Sequence, residues 1–132
     1  MAKVLNPSSI AAPAAAYAHG VEIPANARII VTSGVVPTHI DGTTPNDIGD
    51  QAALVWQNIS AILAEGKMSL TDVISVTTYV VAGATLRDDL PVVMRERDAA
   101  LQGVLAASTL VTVPALAKPE WKMEISVIAA KS

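Results

Sequence analysis

Residues 72–81 read DVISVTTYVV. β-branched residues fill the run and no glycine or proline interrupts it, which is the composition of a strand. A strand sends alternate side chains to opposite faces. Ile74, Val76, Thr78 and Val80 therefore share one face, and Val73, Ser75, Thr77 and Tyr79 share the other. What flanks this strand decides the architecture.

Upstream, Thr44-Pro45 predicts an N-cap followed by proline at the first helical position, with Asp47 in the first turn. Ile48, Ala52, Val55, Ile59, Ile62 and Leu63 then recur at helical spacing, and Gly66 marks a stop. Downstream, GATLRDD (83–89) reads as a loop. A second helix is expected from Leu90 to Leu101, with Pro91 in its first turn and Gly103 beyond its end. Further strands are expected at 3–5, 17–23 and 28–33, and again at STLVTV (108–113) and KMEISVIAA (122–130). PANA (24–27) and PALAKPE (114–120) read as turns, and HIDGTTPND (39–47) as a loop. The order predicts an α+β fold with two helices packed on one face of a mixed sheet. Length predicts one domain over 1–132.

Composition narrows the function classes. Hydrophobic residues make up 52% of the 132 residues and charged residues 16%. A chain of this size has much surface for its volume. The bare face of the sheet is therefore expected to be covered by another copy, giving a homo-oligomer. No apolar run reaches the length of a membrane span, and the N-terminus lacks a signal-peptide core, so no membrane association and a cytoplasmic location are expected. There is no cysteine, so thiolate chemistry is excluded. His19 and His39 have no ligand spacing, and neither a metal nor a cofactor is expected. Net charge is −3 and aromatics are 3%, so a nucleic-acid surface is not expected either.

Taken in order, SGVVP (33–37), QNISAIL (57–63), DVISVTTYV (72–80) and MEISVIAA (123–130) resemble the YjgF/RidA family over nearly the whole chain. The resemblance implies a chorismate-mutase-like fold and a homotrimer whose sheets form an inner barrel, with small-molecule clefts between subunits. It implies hydrolytic deamination of reactive enamines and imines to keto acids and ammonia. Other members have been described as ribonucleases or translation inhibitors. Carried onto this chain, the family's site falls on Tyr17, Ser33, Gly34 and Glu124. The arginine that clamps a substrate carboxylate is replaced by Ser108, and the usual glutamine after Ser-Gly is Val35. The asparagine of the second helix falls on Arg95. In these respects the chain resembles the arginine-lacking subgroups.

Glu124 is the candidate catalytic group, able to position water or carry a proton. Read from its surroundings alone, it is a strand-end acid paired with Lys122. Ser33, Gly34, Ser108 and Thr109 are candidates to hold the substrate, with Tyr17 lining the pocket. Serine cannot replace the bidentate charge of a guanidinium. Arg95 or Arg97 is the available substitute; two apart on a helix, they face different ways. The plain reading of both is a solvated helix surface paired with Glu96 or Asp98. His19 is expected to be a hydrogen-bonded structural residue. The leading reading is a deaminase of a small enamine or imine. The alternative is a binding or regulatory trimer without chemistry, and a ribonuclease role ranks third.

Overall fold

A computed structural model describes residues 2–132. The chain runs β1 (Lys3–Leu5), β2 (Gly20–Glu22), β3 (Arg28–Val31), α1 (Ile48–Glu65), a 3-10 turn (Leu70–Asp72), β4 (Val73–Val81), α2 (Leu86–Leu101), β5 (Ala107–Val113) and β6 (Met123–Lys131). β1 and β2 form an antiparallel pair. The main sheet has the order β3-β6-β4-β5. β4 and β5 are parallel, and the other pairings are antiparallel. The sheet is therefore mixed, as expected.

Both helices pack on one face of this sheet. Ala52, Val55, Ile59 and Leu63 of α1 and Val93 and Leu101 of α2 meet Val76, Val80, Met123, Ile125, Val127 and Ala129. Alternation along β6 leaves Glu124, Ser126 and Ile128 on the opposite, bare face. There Ile29 and Val31 of β3 are 51% and 71% exposed, an apolar edge without cover in the single chain.

Four local expectations need correction. α1 is capped by Asp47, whose carboxylate accepts the Asp50 amide at 3.1 Å, and not by Thr44. The Pro45 carbonyl is instead taken by the Gln51 side chain, which keeps that segment outside the helix. α2 starts at Leu86, so Pro91 lies inside it and GATLRDD is half helical. Leu86 and Leu90 pack on the core, Thr85 Oγ1 donates to Asp89, and the acids Asp88 and Asp89 suit the positive end of the helix. Together these outweigh one lost backbone hydrogen bond. The expected strand 17–23 is regular only at Gly20–Glu22, with Ala18 bridging separately to Ala107. Finally, a bulge in β4 between Val73 and Ser75 slips the alternation, so Val73 joins the core beside Val76.

α1 is capped by Gly66, where a Cβ would overlap the end of the Ile30 side chain of β3. Buried Gln51 fastens the far end. Its amide donates to the carbonyls of Pro45 and Glu120 at 2.8 and 2.9 Å, and its oxygen accepts the Lys122 amide at 2.9 Å. This clamp holds the entry to β6, and therefore the strand that carries Glu124.

Candidate functional site

The bare face carries the first cluster. Val31 pairs with Ile128, but Val35 pairs with Ile125. Four steps on one strand thus face three on the other, so one extra residue bulges between Thr32 and Gly34. Thr32 seals the gap by accepting the Val127 amide through its hydroxyl at 3.0 Å. The bulge exposes Ser33 and lowers Gly34 onto Glu124. A Cβ on residue 34 would overlap Glu124 Oε2 and lie 2.9 Å from its Cδ. Glycine leaves room for the acid, which a larger residue would push aside. Glu124 is half-buried and pairs in register with Tyr79. It has no ion-pair partner, since the one ion pair among the described residues is Arg97–Asp98. The expected alternative partner, Lys122, is not within pairing distance.

Ser33 and Gly34 also line a cavity of about 490 Å³ with Val36, Thr38, Ile40 and Asn58. The Asn58 amide donates to the carbonyls of Val36 and Thr38 at 3.3 and 3.2 Å, holding the loop in shape.

A second cluster lies on the helix side of the sheet. Tyr17, Ser108, Leu110, Leu90, Met94 and Arg97 line a cavity of about 270 Å³. Register explains Ser108: it pairs with core-facing Val76, whereas Thr109 pairs with Thr77 on the bare face. Adjacent strand residues point to opposite faces, so Ser108 and Thr109 do not act on one ligand from the same side. Ser108 and Glu124 are likewise on opposite faces, separated by β4.

Arg95 is exposed and lines neither cavity. Arg97, weighed from sequence as a solvated surface residue, is only 5% exposed. Its Nε and Nη2 donate to Asp98 Oδ1 at 3.2 and 3.0 Å, and its Nη1 donates to Ser108 Oγ at 3.4 Å. The missed signal was the stripe Val93, Arg97, Leu101, spaced by four and buried throughout. His19 is structural in its contacts: its amide donates to Asn6, its Nε2 to the Ala11 carbonyl, and its ring meets Tyr17 edge-on. Among the described residues no group of three or more His, Asp or Glu is placed to hold a metal. No described helix is long and apolar enough to cross a membrane.

Comparison with known proteins gives this geometry a family. The model described as Endoribonuclease L-PSP matches residues 8–131. The chain belongs to that family. It is the Rid/YjgF family of the solved relatives, and the chain has their chorismate-mutase-like fold. A Yersinia pestis member, YyfB, of unknown function, is 27% identical, with a TM-score of 0.87 and 98% of both chains covered. Escherichia coli TdcF, crystallised with bound serine, is 25% identical, with a TM-score of 0.68 over 98% of this chain and 99% of that one. A RutC family protein of Buchnera aphidicola is 26% identical over 77 residues, and the match spans 58% of that relative's length. Within the Rid/YjgF family, the Gly34–Glu124 contact and the Tyr17–Ser108 cavity are the two places where this chain gathers its candidate site residues.

Proposed function

We propose that the chain is a hydrolytic deaminase of a small enamine or imine, working in clefts between the subunits of a homotrimer in the cytoplasm. The observation that carries this reading is the Glu124 carboxylate, set against Gly34 with no ion-pair partner among the described residues. An acid so placed can take a proton from water as it attacks the imine carbon. It can then return that proton to the departing nitrogen, leaving a carbonyl compound and ammonia.

The two clusters cannot meet around one small molecule within a single chain, because they lie on opposite faces of the sheet. A second copy packed on the bare face would bring its own Tyr17–Ser108 cavity to the first copy's Glu124. The exposed Ile29 and Val31 supply an apolar surface for that packing. The serine bound to E. coli TdcF supports a small, amino-acid-sized ligand for the cleft.

Ser108 in the position of the family's arginine favours a second reading, a trimer that binds metabolites without converting them. Ammonia release separates the two. The protein, its Glu124→Ala variant and buffer would each be offered 2-aminoacrylate, other imino acids and neutral enamines. Deamination by Glu124 predicts a loss of about 100-fold or more in the variant. Equal rates in all three would leave only the binding reading. RNA cleavage tested on the same samples would address the ribonuclease activity in the family's description; net charge −3 argues against it.

A further inference from the structure

We infer that His19 is a positioning residue: its ring latches the loop between β1 and β2, and that loop sets Tyr17 against the Ser108 cavity and gates entry to it. The inference rests on the proposed reading of that cavity as half of a ligand site, and it adds how the cavity opens.

β1 and β2 pair as far as Leu5 and Gly20, so residues 6–19, NPSSIAAPAAAYAH, form the loop that joins them. Most hairpin loops have about 2–5 residues, and a much longer one whose ends meet is frequently functional. Residues 6–12 of this loop are exposed, Ile10 by 53%. Burial therefore does little to hold it, and hydrogen bonds from its two ends take that part. Asn6 Oδ1 accepts the His19 amide at 2.8 Å and closes the neck. His19 Nε2 donates to the Ala11 carbonyl at 2.6 Å, across the middle of the loop. A carbonyl only accepts, so the ring carries a proton on Nε2. The same imidazole meets the Tyr17 ring edge-on, with centroids 6.1 Å apart. Tyr17 Oη accepts the Ala14 amide at 3.3 Å. His19 is thus a strut between Ala11 and Tyr17.

Next to Tyr17 the chain is fixed. Ala18 is 1% exposed, and its amide donates to the Ala106 carbonyl at 2.9 Å, just before β5. Ala15 and Tyr17 form one wall of the cavity. The opposite wall is Leu90, Met94 and Arg97 of α2 with Ser108 and Leu110 of β5. That wall stands on the packed helix and sheet, whereas the first hangs on the latch. Segments with few buried apolar contacts open at low free energy while packed elements stay closed. Entry to the cavity therefore follows the loop. His19 sets how often the loop opens, and where the Tyr17 hydroxyl stands when it is shut.

The chain has no cysteine, so Ser108→Cys places a single thiol in the cavity. Its labelling by N-ethylmaleimide reports the open population when opening and closing outpace labelling. His19 is exposed, so His19→Ala removes the latch without emptying the core. Labelling of Ser108→Cys should then rise about fivefold, the worth of one hydrogen bond. His19→Gln, whose amide can donate to Ala11, should restore most of the slow rate. His19→Phe keeps a ring beside Tyr17 without the donor and should be fast, so it decides if His19→Ala does not fold. Exchange of the Ala14 amide should follow the same order. Ser126→Cys, half-buried on the opposite face, should label at one rate in every background. A brace for the fold as a whole would move both thiols alike. Unchanged labelling of Ser108→Cys, equal acceleration at Ser126→Cys, no rescue by His19→Gln, or no labelling in any background would overturn the inference. Labelling is read without substrate. Absent hydrolysis with an intact His19 effect would therefore defeat the proposed function alone. Active hydrolysis without that effect would defeat this inference alone.

Discussion

Gly34→Ala probes the contact on which the site depends. Gly34 does not have a positive φ, so alanine suits its backbone, and the obstacle is Glu124 alone. The new Cβ would overlap Oε2 and sit 2.9 Å from Cδ. Because Cδ is also too close, turning the carboxylate about its last bond is not enough. The side chain must leave its rotamer at an earlier torsion, at a cost of about 0.5–1.5 kcal/mol. If the sheet must also give, the cost approaches the ~1–3 kcal/mol of an overpacked site. Removing the acid removes the clash. In a Glu124→Ala background the same substitution should be neutral or stabilising by up to about 1 kcal/mol, through the stiffer unfolded chain. The two changes should thus be coupled by about 1 kcal/mol or more. Urea midpoints of the four proteins at one fixed concentration measure this, the fixed concentration mattering because association shifts apparent stability. Ammonia release should fall in Gly34→Ala as well, because the carboxylate is displaced. An equal cost of Gly34→Ala in both backgrounds would refute the placement of Glu124 over Gly34.

Other parts of the structure give further expectations. Gln51→Leu leaves two carbonyls and the Lys122 amide without their partner, and should cost about 2–4 kcal/mol in urea unfolding. The Asp41 carboxylate accepts from the Thr43 hydroxyl and amide, and these bonds, with His39 nearby, hold its pKa below the usual carboxylate value. A depressed folded pKa means the contribution is present above the unfolded value and lost as pH falls through the folded one. In Thr43→Val, carbon-detected titration should show the Asp41 pKa moving up, and an unmoved pKa would exclude the Thr43 hydroxyl as the cause. Val31→Asp alters a residue 71% exposed in the single chain, so stability of the monomer should change by no more than ~0.5 kcal/mol. If the bare face packs on another copy, light scattering should show the variant dissociated.

Much of the fold was legible because the strong periods are local. Alternation in 72–81 and 122–130 predicts the two central strands, and it already puts Glu124 on the face away from Met123 and Ile125. The same alternation separates Ser108 from Thr109, and grouping them as one binding pair overlooked it. Bulges are harder to read. The extra residue at 32–34 depends on where β3 meets β6, a pairing across about a hundred residues of sequence, and it alone brings Gly34 under Glu124. Arg97 was hidden for another reason. A charge inside a polar run, MRERD, reads as surface, although spacing by four from Val93 and Leu101 marks it as inward-facing. Pro91 concealed the first turn of α2 in the same way, by a residue-level rule that tertiary packing overrode.

The central claim is that one site is divided between two copies, with Glu124 of one facing the Ser108 cavity of the next. The chain has no cysteine, which makes a direct test possible. Glu124→Cys and Ser108→Cys chains, prepared separately and assembled together, would be treated with a short bis-maleimide. A linked pair containing one chain of each kind is the predicted product, formed in the mixture and in neither chain alone. Failure to link in the mixture, with both thiols shown to be reactive, would contradict the divided site.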